Sequence, residues 1–101
     1  MVSKLKQIEK TFDQATPLFF ALGEPARQKI ILLLAEAQAL NVSQIAEQSH
    51  LSRPAISHHL KILRQAQLVS MKAKGTENLY SLTMDDALLL LKKFVQEVED
   101  C

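Results

Sequence analysis

The sequence has 101 residues, enough for one small domain over residues 1–101 and too few for a second independent core. Apolar residues make up 48% of the chain and charged residues 23%, which excludes wholesale disorder, while two glycines and 5% aromatic residues argue against a β-sandwich or β-barrel. The net charge is only +1, but residues 48–76 hold five Lys or Arg and no acidic residue, a pattern typical of a segment that faces a polyanion.

The cysteine content and the apolar runs indicate a protein of the cytoplasm. The one cysteine is Cys101, so no intrachain disulfide and no cysteine metal clip can form, and a redox role for this residue is left open. The apolar runs at residues 30–35 and 87–91 fall far short of the ~20 residues that a membrane span needs. We therefore expect a cytoplasmic protein with no membrane partner.

The chain is predicted to begin with two helical segments divided by a proline. Apolar residues recur at intervals of three and four between positions 5 and 15, which predicts a first helix over about residues 4–15. A residue before proline is pushed out of the α region, so this helix should end at Thr16-Pro17. A separate short helix should then run over residues 17–22.

The next two helices carry clear start signals. Pro25 suits the first turn of a helix that continues to about residue 36, and the all-apolar stretch 30–34 within it predicts the buried centre of the fold. Asn41 is placed to cap the following helix, and Gln44 three residues later can complete a capping box. The inner face of that helix is supplied by Val42, Ile45 and Ala46.

The segment from residue 51 has the features of a well-formed helix start. Ser52 is a good N-cap, and Leu51 and Ile56 can form a hydrophobic staple across it. About five residues, 48–52, separate this helix from the previous one, so the two short helices predict a helix-turn-helix. Its buried stripe is predicted from the spacing of Ile56, Leu60 and Leu63.

The hydrophobic period changes after residue 68. Residues 68–72 and 79–82 are compatible with two short strands, and Gly75 lies at a plausible hairpin tip between them. A final helix should run from about residue 85 to residue 100. The resulting order, α-α-α-α-α-β-β-α, predicts a mainly α fold with a small β-hairpin, which is a winged helix-turn-helix.

The outer face of the helix after Ser52 predicts binding to double-stranded DNA. The N-terminal residues of such a helix lie nearest the base edges in the major groove, and those farther along lie nearer the phosphates. The expected DNA-binding residues are Arg53, Ser57, His58, Lys61 and Arg64, helped by Lys72 and Lys74 of the hairpin. The alternative is an ordinary solvated helix face, and the function would then be a winged-helix module that binds another protein.

The adjacent histidines do not indicate a metal or catalytic site. Neighbouring helical residues point about 100° apart, so His58 and His59 cannot chelate one ion. His59 falls beside the apolar stripe, where a packed, hydrogen-bonded histidine is expected. No nucleophile–base pair, zinc-ligand spacing or phosphate-binding loop is visible in the sequence, so we expect neither an enzyme nor a bound cofactor.

The first and last helices predict a homodimer. Each carries an apolar stripe that a monomer would leave partly exposed to water. Two recognition helices about 34 Å apart would fit an inverted repeat of half-sites one helical turn apart. The expected interface residues are Leu5, Ile8 and Phe12 on the first helix and Leu91, Phe94 and Val98 on the last.

Three motifs together resemble the ArsR/SmtB family of winged helix-turn-helix repressors. The segment Ala21-Leu22-Gly23-Glu24-Pro25-Ala26-Arg27, with the apolar run after it, is similar to the family's opening motif. Residues 51–63 resemble its recognition helix through Leu51-Ser52-x-x-Ala55-Ile56-Ser57-x-His59-Leu60-x-x-Leu63, and Gly75 to Leu82 resemble its wing. The resemblance spans about residues 19–82 and implies a homodimeric repressor that releases DNA when an inducer, usually a metal ion, binds.

The familiar metal sites of that family have no matching residues in this chain. Asn41-Val42-Ser43-Gln44 stands where arsenic, cadmium and lead sensors carry a thiolate pair, and Met84 with three carboxylates stands where zinc sensors carry their ligands. These carboxylates, Asp86, Glu97 and Asp100, share one face of the last helix and could hold a hard divalent ion between dimer mates. The interpretation we favour is an ordinary solvated acidic face. We expect no sensing of soft or borderline metals through either site, and the inducer is left open.

Overall fold

A computed structural model describes residues 3–101, and in this range it shows five helices and one β-hairpin. In chain order the elements are α1 (Lys4–Leu22), α2 (Pro25–Ala37), α3 (Val42–Ser49), α4 (Arg53–Gln65), β1 (Val69–Lys74), β2 (Glu77–Leu82) and α5 (Asp85–Glu99). The two strands form an antiparallel sheet directly after α4. The winged helix-turn-helix predicted from the sequence is therefore confirmed. None of the helices in residues 3–101 is long and apolar enough to cross a membrane.

The predicted break at Thr16-Pro17 is wrong, because α1 is one continuous helix of 19 residues with Pro17 inside it. Within residues 3–101, four helices and not five precede the hairpin, and the order is α-α-α-α-β-β-α. The Thr16 hydroxyl donates a hydrogen bond to the Phe12 carbonyl at 2.7 Å, a contact found where helices bend. Leu18 and Ala21, just after the proline, are 2% and 0% exposed. Burial of this second half offsets the backbone hydrogen bond that Pro17 cannot donate.

The hydrophobic core lies between the middle helices and the base of the hairpin. Of the stretch 30–34 that was predicted as the buried centre, Leu32 is an exception, because it is 66% exposed. Leu32 shares its face with Lys29 and Glu36, three and four residues away, and this face looks away from the other helices. The largest fully buried hydrophobic side chains are Ile30, Leu34, Ile45, Ile56, Leu60, Leu63 and Leu68.

Both predicted helix caps are present. Asn41 Oδ1 accepts a hydrogen bond from the Gln44 amide, and Gln44 Oε1 accepts one from the Asn41 amide, both at 2.8 Å, which completes the capping box of α3. Ser52 Oγ accepts a hydrogen bond from the Ala55 amide at 3.3 Å and caps α4. The joint between α3 and α4 is only three residues long. It is shorter than expected because His50 takes a left-handed conformation, φ 62°, that ends α3 sharply.

The hairpin, or wing, has longer strands and a tighter turn than expected. Strand pairing extends to Lys74 and Glu77, so only two residues form the turn. The first of them, Gly75, has φ +61°, which glycine adopts at little cost and which suits the first position of a type II′ turn. A short antiparallel bridge between Leu40 and Tyr80 ties the wing to the segment before α3, with backbone hydrogen bonds of 3.0 and 2.8 Å.

The two terminal helices, α1 and α5, pack against each other in antiparallel order. Phe94 of α5 meets Phe12 and Phe19 of α1 edge-on, with ring centroids 4.8 and 5.4 Å apart. Beside them the buried hydroxyl of Thr11 donates a hydrogen bond to the Glu97 carboxylate. This seam of aromatic and polar contacts joins the two ends of the chain into one unit.

Candidate nucleic-acid interface

Helix α4 presents a polar outer face above a fully buried inner one. Ile56, Leu60 and Leu63 are at most 1% exposed and fix which side of α4 faces the core. The helix has 13 residues and is about 20 Å long at 1.5 Å per residue. A cylinder of that size fits the major groove of B-DNA, which is about 12 Å wide. The five residues predicted on its outer side are all exposed: Arg53, Ser57, His58, Lys61 and Arg64.

The wing carries two further lysines beside α4. Lys72 and Lys74 lie two residues apart on β1, so their exposed side chains project from the same face of the hairpin. A groove between α4 and β1 is lined by Lys61 and Arg64 on one side and by Ser70 on the other. Ser70 shares the strand face of the two lysines. Two of the predicted cations of α4 therefore line the groove, and Lys72 and Lys74 continue from Ser70 along the same strand face toward the hairpin tip.

The carboxylate of the wing is engaged in a hydrogen bond with the start of α3. Glu77 lies opposite Lys74 in the hairpin, but its Oε1 accepts a hydrogen bond from Asn41 Nδ2 at 2.8 Å. That bond also fixes the wing against the start of α3. Residues 48–76 contain no Asp or Glu, so the exposed cations of α4 and β1 have no acidic neighbour within their own segment. Their combined field attracts a polyanion.

Sequence reasoning missed Arg27 as a residue that contacts α4 on the side that faces the protein. Arg27 of α2 is 6% exposed and donates hydrogen bonds to the carbonyls of Ala21 and Phe20 at the end of α1, at 2.8 and 2.9 Å. Its Nη1 also lies 3.2 Å from Nδ1 of His59 in α4. The packed, hydrogen-bonded histidine expected here is confirmed. Its partner was not predictable, because the two residues are 32 positions apart and no sequence pattern pairs them.

The surroundings of His59 favour its neutral form. Burial lowers the pKa of His59 below its ordinary value, and the Arg27 guanidinium and the His58 ring act in the same direction, against an opposing effect of the Glu24 carboxylate. A guanidinium can only donate, so Nδ1 is the acceptor and the ring proton lies on Nε2. His58 is exposed, with its ring centroid 5.9 Å from that of His59.

The predicted dimer residues divide between the internal seam and the surface. Phe94 lies against Phe12 and Phe19 of its own chain, so its first role is to hold α1 and α5 together. Leu5 is 69% exposed, Phe12 48% and Val98 47%. The other predicted residues, Ile8 and Leu91, are half-buried.

Sequence reasoning also missed three exposed hydrophobic residues of α5, of which Leu89 is 63% exposed. Leu88 and Val95 are 43% and 52% exposed, and with Leu91 and Val98 they recur at intervals of three, four and three. These four residues, the α5 stripe, run beside the buried face of the helix. Ala87, which directly precedes Leu88, is 4% exposed and belongs to the buried face. Both faces of α5 are apolar. Periodicity alone therefore did not distinguish the face that packs within the protomer from the face that is exposed to solvent.

The three carboxylates named as a metal candidate do not meet within one chain. Asp86 and Glu97 are 11 residues apart on α5, which is about 16 Å along the helix axis. Glu97 accepts a hydrogen bond from Thr11, and Asp100 accepts one from Gln96 Nε2 at 3.0 Å. Among residues 3–101, no three His, Cys, Asp or Glu side chains come close enough together to hold an ion. An ion shared between dimer mates stays the alternative to the solvated acidic face that we predict.

Comparison with known proteins matches the region that contains this groove. The family model described as bacterial regulatory protein, arsR family, matches residues 24–71, from the start of α2 into β1. An HTH-type transcriptional regulator from Methanocaldococcus jannaschii is 37% identical over 87 residues, which are 86% of this chain and 97% of the relative. The transcriptional repressor SdpR of Bacillus subtilis is 36% identical over 83 residues, 79% of this chain and 91% of SdpR.

Solved structures are similar over the same length. A homodimeric winged helix-turn-helix DNA-binding domain from Mycobacterium bovis, a possible ArsR-family regulator, is 30% identical with a TM-score of 0.70, covering 88% of this chain and 81% of that one. An ArsR-like transcriptional regulator from Rhodococcus sp. RHA1 has a TM-score of 0.82 at 24% identity, covering 90% of this chain and 83% of the other, and shares the fold.

Proposed function

This chain belongs to the ArsR family of bacterial regulatory proteins, and from that premise we propose that it is a homodimeric repressor that binds an inverted-repeat operator. Members of the family are transcriptional regulators and not enzymes, as the sequence reasoning expected. The observation that carries the proposal is the exposed outer face of α4, whose Lys61 and Arg64 line a groove against β1, the strand that also carries the exposed Lys72 and Lys74.

In the proposed complex α4 lies in the major groove with its N-terminal end toward the bases. Arg53 is placed to form a two-pronged hydrogen bond with a guanine edge, and Ser57 to bond a base or a phosphate. Lys61 and Arg64 lie farther along the helix, toward the backbone. Contacts of this second kind fix the position of the protein without reading sequence.

The wing lysines contact phosphates beyond the reach of α4. Lys72 and Lys74 project from one face of a hairpin whose tip is held by the Glu77–Asn41 bond, so their positions relative to α4 are set by the fold. Each phosphate contact releases condensed counterions, and operator affinity should therefore fall steeply with added salt.

Dimerisation is proposed through the α5 stripe together with the exposed apolar residues of α1. The Phe12–Phe94 contact joins the two sets into one surface, because Phe12 belongs to the apolar face of α1 and Phe94 lies next to the α5 stripe. An apolar surface of this kind on both terminal helices suits a two-fold interface, in which the same patch is used by both copies. The solved Mycobacterium bovis domain is a homodimer, which supports dimerisation of this chain.

The test is binding of the full chain to duplexes from its own upstream region, measured by fluorescence anisotropy across a salt series. Arg53→Ala and Ser57→Ala should each cost about 1–3 kcal/mol on the operator, which is a loss of roughly fivefold to 150-fold in affinity. Lys10→Ala on α1 is the matched control, since it removes an exposed cation that stands among the acidic Glu9 and Asp13. It should leave operator affinity unchanged.

The same titration separates this function from a protein-binding winged helix. A module that binds only protein would give no salt-dependent DNA affinity. Unaltered operator affinity after replacement of Arg53, Ser57 and Lys61 together would show that α4 does not read the operator.

A further inference from the structure

We propose that the contact between Arg27 and His59 sets the orientation of the recognition helix, which makes both of them positioning residues for operator recognition. The inference rests on the proposed function, because it concerns how α4 is held against DNA. Neither residue belongs to the outer face of α4: Arg27 lies on α2 and is buried, and His59 is half-buried beside the apolar stripe.

Arg27 is held rigidly before it reaches α4. Its Nε and Nη2 bond the carbonyls of Ala21 and Phe20, and the guanidinium carbon lies 5.0 Å from the Phe20 ring centroid. Carbonyls in the last turn of a helix lack partners within the helix and carry partial negative charge, so the end of α1 is a favourable site for a buried cation. With two of its nitrogens fixed to α1, the guanidinium presents Nη1 to α4 from a defined position.

His59 receives that contact at the middle of the reading surface. It lies two residues after Ser57 and two before Lys61, so any rotation of α4 about its axis moves all three together. A helix with side chains is about 10–12 Å across, and a rotation of 10° therefore moves a side-chain tip by about 1 Å. A shift of that size spoils a directional hydrogen bond to a base edge. Flexible lysine contacts to phosphates tolerate it.

The contact needs a neutral acceptor. The lowered pKa of His59 keeps Nδ1 free to accept near neutral pH, with Arg27 and His58 opposing a second positive charge there and Glu24 favouring one. The contact also reaches α1, the helix that carries part of the proposed dimer surface. Through Arg27, α4 is therefore connected to α1, and the proposed dimer surface on α1 sets the distance between the two recognition helices of the dimer.

The test compares affinity for the operator with affinity for an unrelated duplex of the same length. His59→Leu removes the acceptor but leaves both bonds from Arg27 to α1, and we expect operator affinity to fall about tenfold with affinity for the unrelated duplex unchanged. His59→Asn keeps an acceptor oxygen near the position of Nδ1. It should therefore restore most of the ratio of operator affinity to affinity for the unrelated duplex. Arg27→Lys keeps the positive charge but loses the several N–H donors of the planar guanidinium, so it should lower operator affinity as His59→Leu does.

If Arg27 and His59 only stabilised the fold, their replacement would lower the melting temperature or weaken binding to both duplexes equally. A lower melting temperature with the same operator-to-unrelated ratio in His59→Leu would overturn the inference, as would an equal loss on both duplexes. In the free wild-type protein, a nitrogen-15 NMR spectrum should place the ring proton of His59 on Nε2, and a proton on Nδ1 would contradict the contact. If the wild-type chain binds no DNA, the proposed function is wrong and this inference with it. If the wild type binds the operator but His59→Leu leaves the ratio of operator to unrelated-duplex affinity unchanged, only this inference is wrong.

Discussion

Replacement of Leu88 and Val95 of α5 by glutamine should convert the proposed dimer into a monomer. They are 43% and 52% exposed, so roughly half of each side chain is available for burial by a partner. Full burial of such a side chain is worth about 1.5–3 kcal/mol, and half of it about 1 kcal/mol. A two-fold dimer contains each residue twice, so the double replacement removes about 4 kcal/mol of association free energy.

A loss of about 4 kcal/mol raises the dimer dissociation constant nearly a thousandfold. Sedimentation velocity over a concentration series should therefore show a monomer for the double variant where the wild type is a dimer. Operator affinity should fall in parallel, since only one half-site is then contacted by each molecule. Circular dichroism should show unchanged helix content, because both side chains lie outside the core.

Leu32→Gln on α2 is the matched control, because Leu32 is 66% exposed but lies on neither terminal helix. A double variant that remains dimeric, or a Leu32→Gln variant that dissociates as much, would refute the assignment of the interface to the α5 stripe. Polar replacement of Phe94 is a poorer test. Its ring packs on Phe12 and Phe19 within the same chain, and its loss should destabilise the protomer as well.

Two further predictions concern stability. The pKa of His59 is lower in the folded protein than in the unfolded chain, where a histidine pKa is near 6.5. Between the folded and the unfolded pKa the unfolded chain therefore binds more protons than the folded protein. The stability that His59 contributes is present above about pH 6.5 and should be lost as the pH falls through the folded pKa. Urea unfolding of the wild type against His59→Asn, which does not titrate, isolates this effect, and identical pH slopes would contradict it. Asn41→Ala removes the capping acceptor of α3 and the donor to Glu77, and should lower the free energy of unfolding by about 1–2 kcal/mol. Asn78→Ala on the wing is its control, and equal urea midpoints for the two variants would count against the capping argument.

The sequence by itself determined most of the architecture, because its signals are local. The Asn41–Gln44 box and the Ser52 cap act within one helical turn, and Gly75 is placed for a positive φ at the wing turn. Interactions of such short range are already specified by neighbouring residues before any tertiary contact forms. The inward face of α4 followed in the same way from the spacing of Ile56 and Leu60, and with it the outward position of the predicted DNA-binding residues.

Only the tertiary structure decided the contacts between residues distant in the chain. Pro17 is a local signal for a break, yet α1 continues through it because the burial of Leu18 and Ala21 outweighs one missing backbone hydrogen bond. The Arg27–His59 contact joins two helices that no periodicity relates. The two apolar faces of α5 are alike in composition, and packing against α1 buried one of them and left the other open. In each case the deciding free energy comes from burial between elements, which depends on how the helices are arranged in space and is absent from any window of neighbouring residues.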